Sequence, residues 1–212
     1  MSGTSSHVIW RQPWSSEADS QLRSALAVCG VEAHNLPTQA WNPKTATISG
    51  IRDYKLCNIG PAGHSWSSAL LHLNSELGES LARELSWGPA RIAFLFKEYE
   101  QTTWGYVLFE DGSEADRFWS EPEELGEDRI QAEGDADIVA VALGIPASII
   151  SPYLELEPGH TKAYPDDRYF LDDHWVRVDF MRRIGIDYPN VQTNRWVYIR
   201  EAGVNDDVVG YA

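Results

Sequence analysis

The chain has 212 residues, 43% of them hydrophobic, with nine Trp and nine Tyr. That is ample for a packed core and excludes a disordered chain. The formal charge of −15 excludes non-specific attraction to nucleic acid or to an anionic membrane, because the basic residues are scattered and Arg182-Arg183 is their only adjacent pair.

Residues 1–14 read as a flexible lead. It carries no basic or apolar signal segment, and it ends in Trp10 and Trp14, which can anchor it. No apolar run in the chain approaches the length of a membrane span. Cys29 and Cys57 fall in different elements, so a reduced, cytoplasmic setting is expected.

Ser16 and Asp19 have capping-box spacing. Leu22, Ala25, Leu26 and Cys29 then form an apolar stripe, which predicts a helix from Ser16 to a Gly30 stop. Asn35, Pro37, Asn42 and Pro43 exclude long regular structure. Residues 46–60, with Ile48, Ile51, Tyr54, Leu56 and Ile59, predict two short strands. Gly60-Pro61-Ala62-Gly63 breaks the chain. Trp66, Leu70, Leu73, Leu77, Leu81 and Leu85 then recur every three or four residues, which predicts one long amphipathic helix over 65–86. Gly78 is expected to weaken its middle by about 0.5–1 kcal/mol.

The stretch 91–119 predicts three consecutive antiparallel strands, and the fold is expected to be built on this meander. Ile92, Phe94 and Phe96 alternate with Ala93 and Leu95, so that strand should be covered on both faces. Trp104 to Glu110 follows, with Gly105 marking a bulge or a close backbone approach. Asp111-Gly112 is a hairpin turn signal. Ser113 to Trp119, interrupted by Glu114, Asp116 and Arg117, suits an edge strand.

Between Glu110 and Asp137 twelve carboxylates face only Arg117 and Arg129, a local balance of −10 in 28 residues. This reads either as a solvated loop and edge or as a face for a basic partner. A helix from Asp135 to Leu143 is expected with Ile138, Val141 and Ala142 inward, then Gly144. Pro146 can open a short helix over 147–154. Residues 155–172 form a loop. The charged ends of 172–184 favour a helix, although Val176, Val178 and Phe180 alternate. A strand over 195–200 should join the sheet, and the tail from Val204 should be loosely held. Gly30-Val31, Gly144-Ile145 and Gly185-Ile186 each read as a glycine stop with a following apolar contact. Together these elements predict one α+β domain over 1–212: an antiparallel sheet packed by the long helix and C-terminal helices.

Candidate chemistry is sparse. His160, Asp166, Asp167 and His174 can be drawn into a metal site, but no spacing makes them converge, and no cofactor is expected. Cys29 lies on an apolar stripe, which suits the core better than reactivity. There is no Gly-x-Ser-x-Gly elbow, no dinucleotide fingerprint and no P-loop ending after Gly60.

Trp104-Gly105-Tyr106, Phe109-Glu110-Asp111-Gly112, Leu143-Gly144-Ile145-Pro146 and Asp172-Asp173-His174-Trp175 give residues 60–190 a style that resembles small cytoplasmic α+β proteins of bacteria. Some of these are immunity or partner proteins of toxin systems. The resemblance implies no catalytic residue.

Composition and the missing motifs lead to a non-enzymatic acidic binding protein of immunity type that blocks a basic protein. Its contact face would be Glu110, Glu114, Asp116, Glu121, Glu123, Glu124, Glu127 and Asp128. The alternative is a small enzyme or ligand-binding domain with a pocket lined by His64, Ser65, Trp104, Tyr106, Trp119 and Trp175. A third reading is a structural or adaptor subunit with an exposed apolar patch.

Overall fold

The computed structural model describes residues 5–35, 41–42, 47–48, 55–72, 75–99, 102–125, 132–156, 159–190 and 193–201. The chain is α+β. Its middle layer is an eight-stranded antiparallel sheet. The order is β2 (Val31–Asn35), β10 (Arg195–Glu201), β5 (Lys55–Pro61), β6 (Ser67–His72), β1 (Ser5–Trp10), β7 (Ile92–Tyr99), β8 (Thr103–Glu110) and β9 (Ser113–Trp119). A separate pair joins β3 (Trp41–Asn42) to β4 (Thr47–Ile48). Of the expected strand positions over 46–60, Ile51 and Tyr54 lie outside the described residues.

Period-two alternation gives the large sheet two apolar faces. Val8, Trp10, Leu71, Leu95 and Phe109 point to α1 (Ser16–Val28) and α2 (Ser75–Ser86). Ile9, Phe94, Phe96, Tyr106 and Phe118 point to the C-terminal half, with its helices α3 (Ala136–Leu143) and α4 (Val176–Arg183).

Two expectations are corrected at the sheet centre. The lead is not flexible over 5–10: β1 pairs with β6 on one side and β7 on the other. Val8, Ile9 and Trp10 are fully buried. A strand covered on both faces loses the alternation that would announce it. The long helix is likewise two elements, since 67–72 is strand and α2 begins at Ser75. A short, fully buried apolar run matches helix and strand periods alike. Ser67 and Ser68 are buried there, and their hydroxyls donate to the carbonyls of Gln12 (2.6 Å) and Gly60 (3.2 Å).

Gly78 marks a close approach of helix to sheet. A Cβ there would sit 3.0 Å from both Leu95 Cδ1 and Ser6 Cβ. Gly78→Val should therefore lower stability by about 1–3 kcal/mol through overpacking. Urea unfolding of the full chain measures this, and a variant as stable as the wild type would contradict the contact. Gly105 is also a close approach: a Cβ would lie 2.3 Å from the Phe118 carbonyl oxygen. The bulge in that hairpin falls instead between Leu108 and Phe109.

Glycine stops at Gly30, Gly144 and Gly185 have φ of 77°, 72° and 79°. Ile145 N–H donates to the Ala140 carbonyl (3.1 Å) and Ile186 N–H to that of Met181 (2.8 Å), closing the two later helices. In α3 the buried residues are Val139, Ala140 and Leu143, so the expected inward face is corrected: Ile138 and Val141 look outward. Seven of its eight residues are apolar, so periodicity could not choose a face. Two 3₁₀ turns, Ala147–Ile149 and Ser151–Tyr153, replace the expected helix over 147–154. α4 starts at Val176, after Asp173 has accepted the Trp175 N–H at 2.8 Å. Among the described residues no single helix is long and apolar enough to cross a membrane.

Candidate interaction face at α3 and β9

Strand β9 closes one edge of the sheet, and its carbonyls and amides need cover. The chain returns to supply it. Trp119 N–H donates to the Ala132 carbonyl (2.9 Å), and Phe118 bridges to Glu133. Asp135 N–H then donates to Asp116 Oδ1 (2.9 Å). Asp135 caps α3 by accepting from Asp137 N–H (2.8 Å) and Ile138 N–H (3.3 Å). The helix is thereby pinned beside β9. Its inner face fills the core, and its outer face leaves Val141 84% and Ile138 39% exposed. At the start of the helix Glu133, Asp135 and Asp137 are exposed. A helix that is apolar nearly all round is ordinarily buried. This one turns part of its apolar surface to solvent, with Asp137 one turn before Val141.

At the N-terminal end of α3 lies an open groove of about 430 Å³, lined by Glu133, Gly134, Ala136, Ser151, Leu154 and Leu156. Gly134, with φ 69°, is needed at this turn. A Cβ would sit 3.0 Å from Phe118 Cβ and 3.2 Å from both Leu154 Cδ1 and the Tyr106 hydroxyl.

The acidic residues singled out in the sequence have separate fates. Glu110, Glu121 and Glu123 are exposed. Glu114 pairs with Arg117 at 2.9 Å, and that guanidinium holds its carboxyl below the usual range. Asp116 accepts the Tyr106 hydroxyl at 2.6 Å, and burial pushes its carboxyl up. Glu127, Asp128 and the side chain of Glu124 lie outside the described residues. Two members of the list thus work inside the fold. Glu133, Asp135 and Asp137, which the list omits, are exposed at the start of the helix that carries Ile138 and Val141. Their signal was present in the sequence as part of the −10 stretch, but only the facing of α3 connects them to Val141.

The residues of the alternative pocket do not line one opening. Trp104 and Tyr106 are buried among Phe118 and Phe180, with Tyr106 stacked on Phe180 at 5.5 Å. Trp119 is buried beneath Lys97, whose ammonium lies 5.8 Å from the ring. His64 and Ser65 stand exposed on the turn closed by Ala62 N–H and the Trp66 carbonyl (2.9 Å). Trp175 is partly exposed, with the Arg177 guanidinium 4.6 Å from its ring.

The four metal candidates also have separate partners. His160 faces Asp172 at 3.0 Å, and His174 lies 3.4 Å from Glu98. Asp167 and Asp166 are held by Arg182 and Arg183. Among the described residues no group of three His, Cys, Asp or Glu is placed to hold a metal ion.

Polar groups buried between the sheet and the C-terminal layer attach one to the other. Arg177 donates to Glu98 Oε2 at 2.5 Å. His7 lies edge-on to Tyr188, 5.9 Å between ring centres, and its Nε2 is buried with no hydrogen-bond partner among the described residues. Burial first, and the nearby Arg177 charge second, hold its imidazole down to about 3. The neutral form of His7 is the one this buried position favours.

Compared with known proteins, the chain matches no family model, no curated protein and no solved structure.

Proposed function

We propose that the chain is a non-enzymatic binding protein of immunity type, which blocks a basic protein through the outer face of α3 and the acidic residues around it. The observation that carries this reading is Val141, 84% exposed beside Ile138 on the outer face of α3. Apolar centre and charged rim are the ordinary layout of a protein contact. The sign of the rim specifies the partner: carboxylates at 133, 135 and 137 repel acidic surfaces and steer basic ones, raising the rate of encounter more than the final affinity.

Capture from a lysate of the source organism, followed by salt elution and mass spectrometry, provides the partner. One stoichiometric basic protein released as salt rises is the expected result. Glu133→Lys with Asp137→Lys should then slow association at low salt, with the difference shrinking at high salt as screening takes over. Asp135 is left unchanged in this test because it caps the helix. An association rate that ignores both salt and the two reversals would contradict the acidic rim.

A further inference from the structure

We infer that, in the absence of that partner, the outer face of α3 pairs with the same face of a second copy of this chain, the two helices running antiparallel about a two-fold axis; this rests on α3 being a contact face. The apolar centre is Ile138 and Val141, 39% and 84% exposed. Opposite charges stand at its two ends. Asp137, one turn before Val141, is exposed, and no cation among the described residues pairs with it. At the other end Arg11 is exposed and donates to the Ala142 carbonyl at 3.3 Å. Arg91, Arg117, Arg177 and Arg195 each hold a carboxylate. Among the described residues no carboxylate pairs with Arg11.

The spacing makes this face self-complementary. The midpoint of Ile138 and Val141 falls between residues 139 and 140. Asp137 lies before that midpoint, and Ala142 with its Arg11 lies after it, each by about 4 Å along the axis. A two-fold axis through the midpoint sets Ile138 on the second copy's Val141 and Asp137 beside the second copy's Arg11. The same contacts then repeat in reverse. A parallel pairing would set Asp137 against Asp137. The antiparallel one also brings the positive end of each helix to the negative end of the other. The formal charge of −15 opposes two copies at long range, but at 0.15 M salt charges more than about 8 Å apart are largely screened. The contact is small, on a helix of eight residues, so the dimer should be weak, with a Kd of about 10–100 µM. Self-association and capture of the basic partner use the same residues and exclude each other.

The test is sedimentation equilibrium of the full chain from about 1 to about 300 µM at 0.15 M salt. The weight-average mass should climb from 23.8 kDa toward twice that and stop there, because a two-fold contact closes on itself. Val141→Asp should stay monomeric. Arg11→Glu and Asp137→Arg should each raise the Kd at least about fivefold. The double variant restores opposite charges across the axis and should recover most of the loss. A folding defect in either single variant would not be repaired in this way. A wild type that stays at the monomer mass would overturn the inference, as would growth beyond two copies. So would a dimer that Val141→Asp leaves intact, or a double variant as weak as the single ones. A monomeric wild type that still loses the captured basic protein on Val141→Asp keeps the contact face and removes only the second copy. A dimer that obeys the charge swap while no basic protein is captured keeps the self-association and removes the partner.

Discussion

Asp167→Ala is expected to lower the unfolding free energy by about 1–3 kcal/mol, the range for leaving buried donors without their acceptor. The Asp167 side chain is fully buried. Its carboxylate accepts the Tyr153 hydroxyl at 2.7 Å and the Tyr164 N–H at 3.0 Å. Arg182 and Arg183 close on it at 2.9 and 2.8 Å. Alanine leaves two guanidinium groups, a hydroxyl and an amide facing the space. One carboxylate thus ties a 3₁₀ turn, the 159–173 loop and α4 together, so the loss should be global rather than a local fraying. Denaturant unfolding gives the shift in midpoint, and Asp167→Asn, which keeps an acceptor of the same shape, should recover part of it. A loss under about 1 kcal/mol would mean that the network is solvated and contributes as surface pairs do.

Acid should weaken the fold at a pH where carboxylates are still ionised, and His7 is the reason. Its folded value, about 3, lies below the unfolded 6.5. Between those limits the unfolded chain binds the extra proton, so stability rises with pH. The contribution is complete above about pH 6.5 and is lost as pH falls through the window. The loss should reach about 2 kcal/mol by pH 5 and about 4 kcal/mol by pH 3. Protonation would place a second cation beside Arg177, in a layer where Glu98 is already paired with that arginine. His174, also held low by its surroundings, adds a slope of the same sign. The control is His7→Phe, which keeps a ring against Tyr188 and removes the titration. Its stability should change much less between pH 7 and 5. Parallel curves for the two proteins would show that His7 is not held neutral.

What the sequence revealed depended on whether a residue's signal was local. Asp111-Gly112 has both residues at positive φ, 47° and 76°, a demand that the two residue types themselves express. The glycine stops at 30, 144 and 185 are legible for the same reason. The start of α1 was legible to within one residue, because a serine hydroxyl accepting Ala18 N–H is a local event, although Ser15 rather than Ser16 supplies it. Strands β1 and β6 were not legible. Each lies between two strands and beneath two layers, so its apolar character comes from partners distant in the chain. Leu70 and Leu77 share helical spacing, yet one stands on a strand and the other on a helix. The candidate face was half legible. The charge of 110–137 is composition and could be counted. The exposure of Val141 is geometry, decided when Asp135 meets Asp116 and fixes which side of α3 turns away from β9.

The measurement that bears most directly on the binding role is a side-by-side capture with immobilised wild type and Val141→Asp at low salt, the bound proteins being quantified by mass spectrometry. An exposed apolar-to-acidic change should alter stability by no more than about 0.5 kcal/mol, so the two baits are equally folded. The expected result is one basic protein, stoichiometric on the wild type and depleted at least about tenfold on Val141→Asp. Equal recovery of that protein on both baits, or the recovery of no basic protein on the wild type, would contradict a function carried by the outer face of α3.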